Sequence, residues 1–140
     1  ASKRRDLVDR FISVGGNFNH TGCEPQFQKA LRKQKVELDP RYAALSPDGA
    51  AHYPAVFEKC RRLWLSEPKW KPSLLRTIKV PALIAAGDCD MIRPEHTLEL
   101  FRALPFGELA IIPGTSHALL KEKPKMINRI MLDFLQQKFD

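Results

Sequence analysis

The chain has 140 residues and a mass of 16.0 kDa, which suits one compact domain or part of a larger one. Hydrophobic residues make up 44% and charged residues 28% of the chain, so disordered and low-complexity classes are excluded. No apolar stretch approaches the roughly 18 residues needed to span a bilayer, and residues 1–6 lead into no apolar signal region. We therefore expect a cytoplasmic protein with no membrane partner.

The net charge of +7 would suit an acidic partner such as nucleic acid. The basic residues are scattered, however, and no motif of a nucleic-acid-binding fold accompanies them, so we expect no nucleic-acid partner. The three cysteines, Cys23, Cys60 and Cys89, are odd in number and lack metal-ligand spacing. This pattern predicts free thiols, no metal site and no cofactor.

The first β-favouring run covers residues 10–14 and stops at Gly15-Gly16-Asn17, which predicts a strand that leads into a loop. Residues 17–78 lose strand character and carry several prolines between segments of helical spacing. We predict helices over residues 26–34, 42–45 and 53–65. In the longest of them an apolar stripe should pack against the rest of the protein; it comprises Val56, Cys60, Leu63 and Trp64.

After Lys79 the residue pattern of the chain changes. Residues 80–86 are almost continuously apolar and end in Gly87-Asp88, which is typical of a strand buried on both faces in a parallel sheet. A helix should follow from Pro94 to Pro105, then a strand at 109–112 and a last helix at 125–138. Alternating strands and helices predict an α/β fold with a parallel sheet and right-handed crossovers.

Polar residues that follow the strands are candidates for chemistry, because ligands of parallel sheets bind at the carboxyl ends of strands. Asp88 and Asp90 follow one strand, and His117 follows the next. Neighbouring strands would bring an aspartate and the histidine to one rim, where a carboxylate can orient an imidazole that acts as a general base. The alternative is an ordinary turn aspartate beside a surface histidine.

Five segments of the sequence point to a known family. They are residues 45–49 (LSPDG), 78–92 (IKVPALIAAGDCDMI), 95–97 (EHT), 111–118 (IIPGTSHA) and 122–124 (EKP). With these segments the chain resembles the C-terminal half of an α/β-hydrolase. The resemblance implies a partial α/β-hydrolase fold: a three-stranded parallel sheet flanked by helices, plus a helical cap. Residues 1–16 and 75–140 would then form the partial core, and residues 17–74 the cap.

The same resemblance implies site residues. By position, Asp90 matches the acid and His117 the base of a Ser-Asp-His triad, which leaves Asp88 as a turn residue and second choice. Neither Ser13 nor Ser116 lies in a Gly-x-Ser-x-Gly elbow. In the family's chain order the nucleophile precedes the acid, so we expect the nucleophile and the oxyanion hole upstream of residue 1.

The function implied is hydrolysis of an ester, or of a related acyl or carbon-carbon bond, in a small-molecule substrate. Asn17 and Trp64 are candidate substrate contacts, and no metal takes part. Without a nucleophile we expect this chain alone to be inactive. The alternative is a non-catalytic folded fragment or interaction module, and a basic nucleic-acid-binding domain is the weaker alternative. Under either reading a homodimer could form through an exposed strand at residues 10–14.

Overall fold

The computed structural model describes residue 4 and residues 6–139. Three strands and seven α-helices alternate along this part of the chain, with short 3₁₀ turns at His20–Gly22 and Ala50–His52. The strands are β1 (Phe11–Val14), β2 (Ala82–Gly87) and β3 (Gly107–Ile112). The helices are α1 (Pro25–Lys33), α2 (Pro40–Leu45), α3 (Tyr53–Ser66), α4 (Pro72–Leu75), α5 (Pro94–Ala103), α6 (Leu119–Glu122) and α7 (Pro124–Gln136).

The strands form one parallel sheet in the order β1-β2-β3, which confirms the predicted three-stranded parallel sheet. All of β2 is buried, as its continuous apolar run indicates. In the register of the sheet, Val14 pairs with Ala85 and Ile112 pairs with Gly87. The carboxyl ends of all three strands therefore lie at one edge of the sheet, where the loops after them meet.

Helices cover both faces of the sheet, because side chains alternate between the two faces along each strand. On one face α5 packs on β2. Its buried cluster includes Ala82, Ile84, Leu100, Ala103 and Leu104. On the other face α6 and α7 form a second cluster with Ala85, Ile112, Leu119 and Ile127. The predicted flanking helices are thus confirmed.

Prolines open five of the helices: α1, α2, α4, α5 and α7 each begin at one. A proline fits the first turn of a helix because its missing N–H has no partner there and its φ is already helical. At α2 the carboxylate of Asp39 also accepts the N–H of Arg41 at 2.8 Å. None of the described helices is long and apolar enough to cross a membrane.

The stripe predicted on α3 is less buried than expected. Leu63 is 54% exposed and Trp64 47% exposed, and α3 contains no buried residue. For Trp64 the reason is that it forms part of the wall of an open cavity. The division into a core (1–16 and 75–140) and a cap (17–74) remains a prediction.

Backbone hydrogen bonds tie the start of this helical segment to the loop that follows β2. Cys23 and Ile92 form an antiparallel bridge. Beside it, the N–H of Glu24 donates to the carbonyl of Met91 at 2.8 Å, and the N–H of Arg93 donates to the carbonyl of Gly22 at 2.9 Å. The loop that contains Asp90 is therefore joined directly to the residues that lead into α1.

Candidate active site

Asp90 and His117 meet at the carboxyl edge of the sheet. Asp90 lies in the turn after β2 and His117 in the turn after β3, and Asp90 Oδ1 is 2.9 Å from His117 Nδ1. The aspartate side chain is 1% exposed, whereas the imidazole is 46% exposed. This arrangement gives a buried carboxylate that orients a ring whose other nitrogen is left for chemistry.

The local backbone fixes the carboxylate of Asp90. Its Oδ1 also accepts the N–H of Ile92 at 3.0 Å, as in the turns that aspartate forms with the residue two positions later. The other oxygen, Oδ2, is buried and has no hydrogen-bond donor among the described residues. One oxygen therefore serves both the turn and the histidine.

Gly15, directly after β1, lies against the imidazole. Its φ of 57° lies in the left-handed region, and a Cβ at this position would be 2.7 Å from His117 Cε1. A residue with a side chain would be strained there and would displace the ring. The pattern of the sequence explains Gly15 only as the end of a strand. Its contact with His117 depends on the register between β1 and β2, which residue types alone do not specify.

The side chain of Asp88 contacts different groups from those that Asp90 contacts. Its side chain is exposed, and its Oδ1 accepts the N–H of Thr115 at 3.1 Å. The N–H groups of Gly114 and Thr115 lower the pKa of Asp88, because they stabilise its ionised form. Asp88 thus joins the turn after β2 to the turn after β3, while Asp90 faces His117.

A cavity of about 540 Å³ opens beside His117. Its wall is mainly apolar, with side chains from the helical segment opposite the sheet. Apolar wall residues include Phe27, Leu31, Phe57, Trp64, Met91 and Ile92, and polar ones include Asn17, Gln34 and Glu67. Both sequence candidates for substrate contact, Asn17 and Trp64, border this cavity. A wider cleft of about 730 Å³ lies around Arg10, Lys79 and Phe106 at the opposite edge of the sheet, away from His117.

The side chain of Asn17 organises the loop after β1. Its Oδ1 accepts the N–H of Asn19 at 2.9 Å, and its Nδ2 lies 3.6 Å from Cys23 Sγ. Cys23 is buried, and burial followed by the negative charge of Asp90 raises the pKa of its thiol. The Cys23 thiol is therefore kept protonated beside the cavity and is a poor nucleophile.

Ser13 and Ser116, the two serines weighed as nucleophiles, and the exposed Cys89 make other contacts. Ser116 Oγ donates to Glu122 Oε1 at 2.6 Å, and Ser13 lies within the paired strand β1. The charge of Asp88 raises the pKa of Cys89. Among the residues that the structure describes, no group of His, Cys, Asp and Glu side chains could hold a metal ion.

His96 is the other histidine with an unusual environment. It is 5% exposed, its ring stacks on Phe18 with centroids 4.0 Å apart, and its Nε2 is buried without a partner among the described residues. Burial lowers its pKa, the carboxylate of Glu99 opposes this shift, and the charge of Arg93 adds to it. The folded protein therefore holds His96 as a neutral core residue.

Because the folded state disfavours protonation of His96, the unfolded chain binds more protons below pH 6.5 or so. The free energy of unfolding should consequently be fully maintained above that pH and should fall as the pH is lowered from about 7 to 5. His96→Phe, which keeps the stacking on Phe18, should weaken this dependence. Urea unfolding at several pH values would measure it, with His52→Phe at an exposed position as the control. An equal slope in wild type and His96→Phe would contradict the prediction.

The parallel sheet with helices on both faces is the fold of the C-terminal half of an α/β-hydrolase. The structure is similar to an α/β-hydrolase enzyme from a Medee basin deep-sea metagenome library, with a TM-score of 0.68 and 20% identity; the match covers 99% of this chain and 60% of that one. The meta-cleavage product hydrolase CumD of Pseudomonas fluorescens IP01 gives a TM-score of 0.75 at 13% identity, covering 96% and 58%.

The sequence is also similar to bifunctional epoxide hydrolase 2 of Mus musculus, with 26% identity over 132 residues. That match covers 92% of this chain and 23% of the mouse protein. No protein-family model matches the chain. The chain thus spans about a quarter of the mouse relative and 58–60% of the two solved structures, and what these likenesses show is the fold.

Proposed function

We propose that this chain supplies the acid, Asp90, and the base, His117, of a Ser-Asp-His triad in a hydrolase. The observation that carries the proposal is the 2.9 Å contact between Asp90 Oδ1 and His117 Nδ1 beside a mainly apolar cavity. The buried carboxylate accepts the Nδ1 proton and leaves Nε2 free to exchange a proton with a nucleophile. The exposed face of the imidazole lies where a substrate in the cavity can reach it.

The chemistry follows from this geometry. His117 Nε2 takes the hydroxyl proton of the serine as its oxygen attacks the carbonyl carbon, and then gives that proton to the leaving group when the acyl-enzyme forms. In the second half of the reaction, water attacks the acyl carbon while His117 accepts one of its protons. His117 then returns that proton to the serine oxygen as the bond between the serine and the acyl group breaks. Throughout, the negative charge of Asp90 stabilises the imidazolium.

In this proposal the nucleophile and the oxyanion hole come from a segment of a longer polypeptide that precedes residue 1. Two observations support it. No Gly-x-Ser-x-Gly segment occurs in the 140 residues, and the chain spans only 58–60% of the solved hydrolases that share its fold. In the chain order Ser, Asp, His, a serine that precedes Asp90 and His117 falls on the N-terminal side.

The substrate is a small molecule with an ester, or a related acyl or carbon-carbon bond, and an apolar body. The mainly apolar wall of the cavity supports the apolar body, and Asn17, which borders the cavity, is the candidate polar contact for the rest of the substrate. The similar structures carry the names of enzymes with different reactions: one carries the name of a non-heme bromoperoxidase, one of a meta-cleavage product hydrolase, one of an esterase and one of an enol-lactonase. Trp64, 47% exposed at the rim, is positioned to cover such a substrate.

The experiment is active-site labelling of the longer polypeptide with a fluorophosphonate, which reacts with an activated serine. We expect one labelled serine on the N-terminal side of the present chain, with labelling lost in His117→Ala. The matched control is Glu95→Gln, which alters an exposed residue of α5 outside the cavity and should label normally. Undiminished labelling in His117→Ala would refute His117 as the base.

We further propose that the isolated chain associates through β1, because within residues 6–139 β1 pairs only with β2 and its other side is a free edge. Phe11 packs into the cluster beside α5, so the contact surface is the backbone edge together with Ile12. Sedimentation should show a dimer for wild type and a monomer for Ile12→Lys. The control is Ile111→Lys on the other edge strand, β3, which should still dimerise. A monomeric wild type at high concentration would exclude the contact.

A further inference from the structure

Glu122, the last residue of α6, reaches back to the turn that precedes His117. Its Oε2 accepts the N–H of Ser116 at 2.7 Å, and its Oε1 accepts the Ser116 hydroxyl at 2.6 Å. The next residue, Lys123, donates from Nζ to the carbonyl of Pro113. The end of α6 therefore holds both ends of the segment 113–116, and His117 lies between this segment and the helix.

The carboxylate of Glu122 is well suited to this contact. Hydrogen bonds from the Ser116 hydroxyl and then from its N–H lower the pKa of Glu122, and the charge of Lys123 adds to the effect. The group thus stays ionised at any pH near neutral, and hydrogen bonds to a charged acceptor are the stronger kind. Two such bonds converge on one residue, which restricts both its backbone and its side chain.

His117 depends on its backbone for its position, because its side chain is 46% exposed and Asp90 is the partner of its Nδ1. Thr115 is already held on the other side, by the carboxylate of Asp88 and by its own hydroxyl, which donates to the carbonyl of Ile112 at 2.8 Å. The turn is therefore fixed at Thr115 and at Ser116, the two residues that immediately precede the imidazole.

We propose that Glu122 is a positioning residue for His117: by binding Ser116 it fixes the backbone from which the imidazole reaches Asp90. This inference rests on the proposed function, in which His117 is the base. Glu122 does not contact the substrate or transfer a proton. Its contribution is to keep Nδ1 directed at Asp90 and so to keep the other nitrogen, Nε2, available to the nucleophile.

The test is the tautomer of His117, read from long-range ¹H–¹⁵N spectra of the 140-residue chain at a pH where the imidazole is neutral. Wild type should hold the proton on Nδ1, facing Asp90. In Glu122→Gln the ratio of the Nδ1–H to the Nε2–H form should fall by about tenfold, the scale expected when a hydrogen bond to a charged group is lost. Ser116→Ala, which removes the hydroxyl and keeps the N–H, should show a smaller fall.

The controls separate the possible results. Glu95→Gln removes the same charge elsewhere and should leave the tautomer ratio unchanged, whereas Asp90→Ala, which removes the acceptor that Nδ1 faces, should abolish the preference. A wild-type ratio in both Glu122→Gln and Ser116→Ala would overturn the positioning role and leave the Asp–His pair intact. A wild type without the Nδ1–H form would instead overturn the proposed acid and base, and this inference with them. If Glu122→Gln fails to fold, Ser116→Ala decides alone.

Discussion

His117→Ala should lower kcat by about 10⁶-fold and Asp90→Asn by about 10⁴-fold in the longer polypeptide that contains the nucleophile. Removing the imidazole removes the group that takes the serine proton. Replacing the carboxylate by an amide keeps the shape but removes the negative charge that stabilises the imidazolium. Ester hydrolysis under saturating substrate measures kcat, and thermal unfolding of each variant checks that the fold survives.

Asp88→Asn is the matched control for these variants. Its remaining amide oxygen can still accept the N–H of Thr115 that Asp88 Oδ1 accepts at 3.1 Å, so we expect kcat within about tenfold of wild type, because no partner of the reacting atoms changes. If Asp88→Asn were more damaging to kcat than Asp90→Asn, at unchanged stability, the acid would be Asp88 and our assignment would be wrong by two positions.

The 140 residues alone should show no measurable ester hydrolysis. Removing the nucleophile of a triad costs about 10⁶-fold in kcat, and a missing oxyanion-hole donor costs a further 10²–10³-fold or so. The assay is hydrolysis of short-chain nitrophenyl esters by the purified chain, with His117→Ala as its pair. Turnover at ordinary enzyme rates that disappears in His117→Ala would mean that a nucleophile lies within these residues, and Ser116 would be the first to replace.

The sheet could be predicted from the sequence because its strands carry strong signals. The continuous apolar run of β2 reflects burial on both faces, and Gly87 marks its end within one residue of the prediction. The signal was weaker for β3, which begins at Gly107 rather than at residue 109. Glu108 is polar and pairs by its backbone, so a search for apolar residues misses it.

The short elements were not predicted. The single-turn helices α4 and α6 and both 3₁₀ turns contain too few residues for a periodic pattern to appear. Their positions depend on tertiary contacts instead: Leu75 of α4 and Leu119 of α6 are each buried in a core cluster. On α3 the sequence predicts burial of a stripe whose residues Leu63 and Trp64 are exposed. An apolar stripe looks the same in a sequence whether it packs against a core or, as at Trp64, lines a cavity.

The residues of the candidate site could likewise be predicted only in part. The positions of Asp90 and His117 followed from their places after two strands, and the family resemblance chose Asp90 over Asp88. The sequence indicates Gly15 only as the end of a strand and Glu122 only as part of the segment 122–124, and it assigns neither of them to the site. Gly15 is close to His117 through the pairing of β1 with β2, and Glu122 is close to Ser116 because α6 turns the chain back. Contacts of both kinds are set by tertiary geometry rather than by residue type.

The backbone bonds between residues 22–24 and 91–93 have a consequence for protein engineering. The bonds themselves join backbone atoms and need no particular side chain, but Gly22 must stay a glycine because a Cβ there would clash with His96 Cδ2. A second pair of backbone bonds closes the far end of the helical segment, from His20 to Pro68 at 2.8 Å and from Trp70 to Phe18 at 3.0 Å. Foreign inserts grafted between residues 24 and 67 would leave both sets of bonds in place, so the cavity wall can be exchanged as a module while Asp90 keeps its anchorage.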